Sequence, residues 1–379
     1  MMKYAAIVLP SALCTMFFAV AVAADTSDIS VKPIGRATFN WSSGSNKSDE
    51  IKFNELDFDV VDVGAKVNFG KRFSVKVHAA VNEDDIKFKD VYLEVPIGKV
   101  RYTLGNSKVP NFFNWHISGT SKNFMERPSL RRAFGGARKF GLRAASNGDN
   151  WGWTAGVFKG DINETIGASD WTVAARGYLG LSSGDTNWFF GASARYRGRE
   201  PSAISYSDKP YTFAIGKQFK YLGGTSDTMV AGEIAFQRGA FYGVTELAFL
   251  RAQSAISPNQ KDALSGAYIE LGYNITGEET KFDFKRGAFG KAPVSNPVSA
   301  GGIGLWQVST RYDIIDLSAG SLTMDTLNGG LQKSLVFGLN WQPTEHVRLL
   351  TNYSRASISH LIGGSDQIDA FGMRLIFML

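Results

Sequence analysis

The stretch at residues 188–197, WFFGASARYR, carries an apolar or small residue at every second position. Trp188, Phe190 and Tyr196 fall in one set, whereas Arg195 and Arg197 fall in the other. Successive side chains of a β-strand point to opposite faces, so one face would be apolar and the other basic. If the aromatic face touches lipid, the two arginines line water, because an arginine in lipid near the bilayer midplane costs about 2 to 4 kcal/mol.

The same alternation continues from about Ser30 to Leu379, in segments of about ten residues. Strands of soluble sheets average about 5 to 6 residues, so these are long. A sheet can cross a bilayer only by closing on itself. The pattern predicts an all-β, transmembrane antiparallel β-barrel of about 16 strands, the even number that bacterial barrels favour among 16 or 17 candidates. Aromatic residues at strand ends predict its membrane-interface girdles, namely Trp151, Trp171, Trp188, Tyr211 and Trp341.

The first residues predict export. Lys3 precedes an apolar run, and the small residues Ala21 to Ala23 suit signal peptidase, which predicts a signal peptide over residues 1–23 and a barrel domain over residues 24–379. A membrane anchor is the alternative. Export places the barrel in a bacterial outer membrane and argues against nucleic-acid binding. The net charge of +6 is too small to name a partner.

A long loop interrupts the strands at residues 105–141. It contains five aromatic residues, which argue against disorder, and ordered loops of this length are usually functional. From residue 127 to residue 143 every charged residue is basic: Arg127, Arg131, Arg132, Arg138, Lys139 and Arg143. Rings of Arg or Lys select anions in channels. The alternative is that these cations bind lipopolysaccharide phosphates.

Turn lengths predict the orientation of the barrel. Residues 69–72 and 342–345 read as short turns, which lie on the periplasmic side of outer-membrane barrels. The longer segment 276–303, with two prolines, is expected to be an outer loop.

Two sets of inward charges are candidates for the pore lining. Arg195 and Arg197 would form a basic wall, and Glu55, Asp57 and Asp59 would form an acidic one. The basic loop favours anion preference, whereas a dominant acidic stripe would favour cations.

Four segments resemble the phosphate-selective porin O and P family of outer-membrane channels: FKDVYLEV at 88–95, TSKNFMER at 120–127, AYIELGYNITGE at 267–278 and FGLNW at 337–341. The resemblance implies a homotrimer of 16-stranded barrels whose third outer loop folds inward as the constriction. It implies anion binding by Thr120, Ser121 and Arg127 of that loop and by Arg36 of the wall. Where the family's second strand carries an arginine pair, this chain has Asp59 and Val60.

The expected function is passive diffusion of small hydrophilic solutes, with phosphate or related oxyanions preferred. A weakly selective general diffusion porin and an adhesion or structural barrel with a closed lumen are the alternatives. The expected partners are small anionic solutes, outer-membrane lipid and lipopolysaccharide, and two further copies of the chain.

Enzymatic activity is not expected. Residues 180–184, GLSSG, match a nucleophile-elbow pattern but are not followed by a predicted helix. The four histidines have no recognised metal-binding spacing, so neither a metal nor a cofactor is predicted.

Overall fold

The computed structural model describes residues 28–47, 50–82, 85–135, 138–164, 170–198, 200, 203–254, 259–318, 329–361 and 364–379. The predicted signal peptide at residues 1–23 lies outside the described residues. No helix among the described residues is long and apolar enough to cross a bilayer.

The described chain forms a closed antiparallel barrel of 16 strands, which confirms the predicted fold. It closes because β1 pairs with both β2 and β19. The barrel strands are β1 (Ile29–Asn46), β2 (Lys52–Phe69), β3 (Phe73–Val81), β4 (Ile86–Ile97), β5 (Val100–Lys108), β6 (Arg138–Asn147), β7 (Trp151–Lys159), β8 (Trp171–Ser183), β9 (Thr186–Gly198), β11 (Phe219–Arg238), β12 (Phe241–Ser254), β13 (Lys261–Asn274), β16 (Leu305–Asp316), β17 (Gly330–Thr344), β18 (Val347–His360) and β19 (Ser365–Met378).

Short elements lie between the barrel strands. They are β10 (Ser205–Asp208), β14 (Phe282–Asp283), β15 (Ala288–Phe289), the helices α1 (Phe113–His116) and α2 (Ser129–Phe134), and a 3-10 turn at Val298–Ala300. Among the described residues β10 pairs with β11 alone, so it adds an inner ribbon rather than a barrel strand.

The two faces of the strands follow the predicted alternation. Trp188, Phe190 and Tyr196 are exposed on the outer surface, whereas Arg195 is buried inside. Tyr211 is an exception to the predicted girdle. It lies in the lumen, buried, and donates its hydroxyl hydrogen to Asp313, because residues 209–218 form a loop rather than a strand.

Residues 275–304 lie at the opposite end of the barrel from the one expected. Strand β13 ends beside the short turn at 239–240, since Tyr273 pairs with Phe241. The next strand, β16, starts beside the end of β17, where Trp306 pairs with Trp341. The segment therefore shares its end with the short turns, and the prediction of an outer loop is wrong.

Three segments fold into the lumen: residues 109–135, residues 203–218 and residues 275–304. Their aromatic side chains meet in one cluster, where Phe189 stacks on Phe282 at 4.0 Å and Phe113 meets Phe289 at 5.3 Å. Such ring pairs add about 0.5 to 1.5 kcal/mol each to area burial. The cluster fills the side of the lumen next to β9 and β12.

Candidate functional site

A cavity of about 520 Å³ remains between the inward loop, residues 109–135, and the wall formed by β1 to β6. Asp62 supplies the only side-chain carboxylate among its lining residues, and Leu379 also borders it. Eight cationic side chains line it: Arg36, Lys89, Lys108, Lys122, Arg127, Arg131, Arg138 and Lys291. The arrangement makes the cavity strongly basic.

Two β-bulges aim charges into this cavity. The pairing of β1 with β2 shifts register after Thr38, so Asp59 is the extra residue and Asp62 reaches the inner face opposite Arg36. The pairing of β3 with β4 shifts after His78, so Lys89 is the extra residue. Bulges re-aim side chains in this way. Lys89 consequently forms an ion pair with Asp62 across the wall.

The wall cations are held by carboxylates. Asp62 pairs with Arg36 and Lys89. Asp90 pairs with Lys76 at 2.6 Å and with Arg138 at 2.7 Å. The wall charge is therefore partly compensated.

His78 stands between these two carboxylates. Its Nε2 atom lies 3.3 Å from Asp62, and its Nδ1 atom lies 3.7 Å from Asp90. The ring therefore joins the two groups of ion pairs along the wall.

Arg127 of the inward loop is held differently. Its guanidinium donates to the backbone carbonyl of Asn114, to Asn114 Oδ1 at 2.9 Å and to the carbonyl of Ile117 at 3.1 Å. These acceptors are neutral, so they orient the group without cancelling its charge. Burial, together with nearby Arg138 and Arg311, lowers the pKa of Arg127 to about 10, which leaves it charged at neutral pH.

Lys108 and Lys122 also bind backbone carbonyls. Lys108 donates to the carbonyl of Trp115 at 2.7 Å, and Lys122 donates to that of Met125 at 2.8 Å. Neither lysine forms an ion pair with any residue in the described ranges. Together with Arg127 they supply the uncompensated charge of the cavity when they are protonated, and burial lowers the pKa of both lysines well below the ordinary lysine value.

The indole ring of Trp115 organises these cations. Arg131 lies 3.9 Å from its centroid, Lys108 4.9 Å, Arg138 5.3 Å and Arg127 5.7 Å. The negative face of an aromatic ring attracts cations, which offsets part of the repulsion between them. Trp115 is one of the five aromatic residues of the loop, and its spacing from the later arginines in the sequence gives no sign of this contact.

Of the predicted anion ligands, the structure brings Thr120, Arg127 and Arg36 together in the basic cavity. The hydroxyl of Thr120 also forms a hydrogen bond with that of Ser118 at 3.0 Å. Ser121 does not join them. It lines a separate small cavity next to Ile117 and Arg348, because the chain turns here: the N–H of Ser121 donates to the carbonyl of Ser118 at 3.1 Å.

Arg195 and Arg197 face the interior, as the alternation predicts, but they do not line the basic cavity. Both form ion pairs with Asp227 of β11. Arg195 also donates to the carbonyl of Phe134 at 2.7 Å, so the inward loop covers it. The inward loop thus covers Arg195, whereas Arg197 is half-buried, and a pore-lining role for the two arginines stays a prediction.

The predicted acidic stripe, Glu55, Asp57 and Asp59, lies along β2 on the outer-loop side of Asp62. Glu55 and Asp57 pair in register with Ser42 and Asn40, whose side chains point into the barrel. Asp59 lies 3.3 Å from Arg374. None of the three acids lines the basic cavity, so the stripe flanks the mouth beyond the loop.

The elbow-like sequence GLSSG ends β8 and turns directly into β9, so no helix follows Ser182. The geometry of a nucleophile elbow requires that helix. Within the described ranges, no cluster of His, Cys, Asp and Glu could hold a metal ion.

Comparison with known proteins also indicates an outer-membrane porin. The family model described as phosphate-selective porin O and P matches residues 39–379. A protein of Caulobacter vibrioides described as uncharacterized is 26% identical over 310 residues, which are 77% of this chain and 60% of that protein. Porin O of Pseudomonas aeruginosa is 25% identical over 163 residues, 41% of this chain and 36% of Porin O. Each match thus spans less than two thirds of the relative's length.

A solved structure shares the fold. OmpT, an outer membrane protein of Vibrio cholerae, superposes with a TM-score of 0.60 at 10% identity. The match covers 93% of this chain and 98% of that one. At this identity the likeness concerns the barrel alone.

Proposed function

Because the chain belongs to the phosphate-selective porin O and P family and folds as an outer-membrane barrel, we propose that it is a channel for passive diffusion of small hydrophilic anions, preferably phosphate or related oxyanions. One observation carries the proposal. Arg127, Lys108 and Lys122 border the open cavity, and they donate hydrogen bonds to neutral oxygens. An anion in the cavity would therefore supply the negative charge that these three cations lack.

The chemistry suits an oxyanion that must also leave. A guanidinium can bind two oxygens of one anion through parallel N–H donors. The Thr120 hydroxyl, which also borders the cavity, adds a donor without adding charge. Conduction requires binding that is favourable enough for a solute to enter and weak enough for it to leave. A site built from fixed cations and one hydroxyl meets both conditions.

The reversal potential across a planar bilayer under a KCl gradient tests the proposal. We expect the wild-type channel to prefer chloride, and Arg127→Glu to lower chloride conductance and weaken block by phosphate. Arg138→Glu should have a smaller effect, because Arg138 lies at the start of β6, where the loop returns to the wall. Cation preference of the wild type would instead assign control to Glu55, Asp57 and Asp59.

A weakly selective diffusion porin is the second candidate. It is favoured by the ion pairs that hold Arg36, Lys89 and Arg138 to the wall. A reversal potential near zero would support it. A protein that inserts but conducts no ions would support the closed-lumen alternative, since three segments already narrow the passage.

We further propose that the protein is a homotrimer. The outward residues of β3 include Val75, Val77, Ala79 and Val81, which are small and aliphatic, whereas β7, β8 and β9 expose tryptophans. Aromatic side chains mark surfaces at the lipid interface, so their scarcity on β3 suits a protein contact. Chemical crosslinking should yield trimers, and Val77→Arg should yield monomers.

A further inference from the structure

The outer surface offers a lipid site that the lumen does not. The basic residues that could have bound lipopolysaccharide point inward: Arg132 pairs with Asp208 at 2.6 Å and Lys139 with Glu200 at 2.6 Å. Any specific lipid contact must therefore come from the outer wall. There, a groove of about 660 Å³ crosses β7, β8, β9, β11 and β12.

Small residues form the floor of this groove. Ala155, Ala175 and Ala194 share one row of the sheet register. Gly177, Ala192 and Gly232 share the next row. A methyl group built on Gly177 or Gly232 would meet nothing within 4 Å, so the space above both glycines is open.

Larger side chains border the floor. Trp153 closes the end on β7, and Leu247 and Phe249 close the end on β12. Tyr196 and Phe190 are exposed on β9 on either side of the two rows. The groove is an open apolar depression bordered by aromatic and aliphatic side chains.

A cation stands at the upper end of the groove. Arg251 is the next outward residue after Phe249 on β12 and lies ten residues from Phe241 at the turn. At about 3.4 Å per residue and a tilt of about 40°, this rise is roughly 25 Å, the height of the apolar band of such barrels. Arg251 is exposed and forms no ion pair within the described part of the chain, and the outward Thr228 pairs with it in register.

We propose that this groove and Arg251 bind the lipid A portion of lipopolysaccharide. An acyl chain lies over the small residues, and a phosphate accepts hydrogen bonds from Arg251, with Lys261 within the same rim. Charge and location agree, because lipid A occupies the outer leaflet and carries phosphates at the level of the apolar boundary. No acidic residue lines the groove, and an exposed guanidinium is the side chain best suited to a phosphate.

The experiment measures the melting temperature of the purified protein in detergent as lipid A is titrated. We expect a saturable rise for the wild type. Arg251→Ser should weaken the apparent affinity about tenfold, as expected for one charge-assisted hydrogen-bonded contact. The double variant Gly177→Leu, Gly232→Leu should abolish the saturable rise by filling the groove. Lys333→Ser and Thr310→Leu, which change outward residues elsewhere, should behave as the wild type.

Three results would overturn the proposal. One is lipid A affinity in the double leucine variant equal to that of the wild type. Another is an equal rise with phosphatidylglycerol or dephosphorylated lipid A. The third is a change of oligomeric state in the double variant with lipid A binding intact, which would make the groove an interface between copies. Unchanged conductance in every variant shows that the barrel is folded.

Discussion

The two sides of the lumen use inward arginines for different purposes. On the filled side, Arg176 pairs with Glu233 at 2.5 Å and Arg311 with Glu270 at 2.6 Å, and all four side chains are less than 10% exposed. On the open side, Arg127 is tied only to neutral acceptors and borders the cavity. An inward arginine is therefore structural where a neighbouring strand supplies an acid, and available to a solute where it does not.

This difference follows from desolvation. A buried ion pair costs about as much to desolvate as it gains from attraction, so it adds little stability but is expensive to break. A cation beside water loses less hydration and can exchange its partner. The filled side therefore holds the three inward segments in place, and the open side handles the solute.

Removing the acid on the filled side should have the largest effect. Asp227→Asn leaves the buried Arg195 and the half-buried Arg197 without this carboxylate, which costs about 3 to 5 kcal/mol. The variant should fail to assemble or should lose much of its thermal stability. The melting temperature of the purified barrel in detergent measures this loss. A melting temperature equal to that of the wild type would mean that these arginines are hydrated and that the two sides do not differ.

An arginine introduced on the outer face of β9, the strand that carries Arg195 and Arg197, should destabilise the barrel slightly less. Phe190 is exposed to lipid on β9, so Phe190→Arg places an unpaired charge in the apolar band at a cost of about 2 to 4 kcal/mol. Assembly efficiency in lipid vesicles measures the effect. Ala192→Ser, a small polar change on the same outward face, is the control and should assemble normally.

On the open side, removing an acid should change ion selectivity. Asp62 borders the cavity, so Asp62→Asn leaves Arg36 and Lys89 in contact with water. A unit charge about 7 Å from a passing ion in water contributes roughly 0.6 kcal/mol, or about a threefold change. The chloride-to-potassium permeability ratio should rise by about that factor. A fall in the ratio would contradict the assignment of this side to the anion path.

The fold could be predicted from the sequence because alternation is local. A lipid-facing residue such as Phe190 and an inward one such as Arg195 differ by one step in a two-residue period. The order of the strands also determines the end of the barrel at which each connection lies, since each further strand reverses the chain direction. Loop length alone predicts the wrong end for residues 275–304, whereas strand order assigns them to the end with the short turns.

The site could be predicted only in part. Thr120, Arg127 and Arg36 meet in the cavity, but Asp62 and Lys89 enter it through bulges that shift the two-residue period by one. A bulge depends on the pairing of two strands, so the sequence of one strand alone does not identify the bulged residue. The partner of Arg195 is likewise fixed by the pairing of β9 with β11, about thirty residues away in sequence.

The smallest predicted effect is the pH dependence of the open side. Lys122 lies in the inward loop, where burial and the nearby Arg374 and Arg127 lower its pKa well below the ordinary lysine value. A lysine with a lowered pKa loses its charge as the pH rises toward the usual lysine range of about 10.4. The chloride-to-potassium permeability ratio should therefore fall modestly when the pH is raised from about 6 to about 9.5, below that range. Lys122→Arg, which stays protonated, should reduce this fall. Chloride is the suitable ion because its own charge does not titrate. If the ratio falls equally in both proteins, Lys122 is not part of the uncompensated charge, and Arg127 and Lys108 alone would distinguish the open side from the filled one.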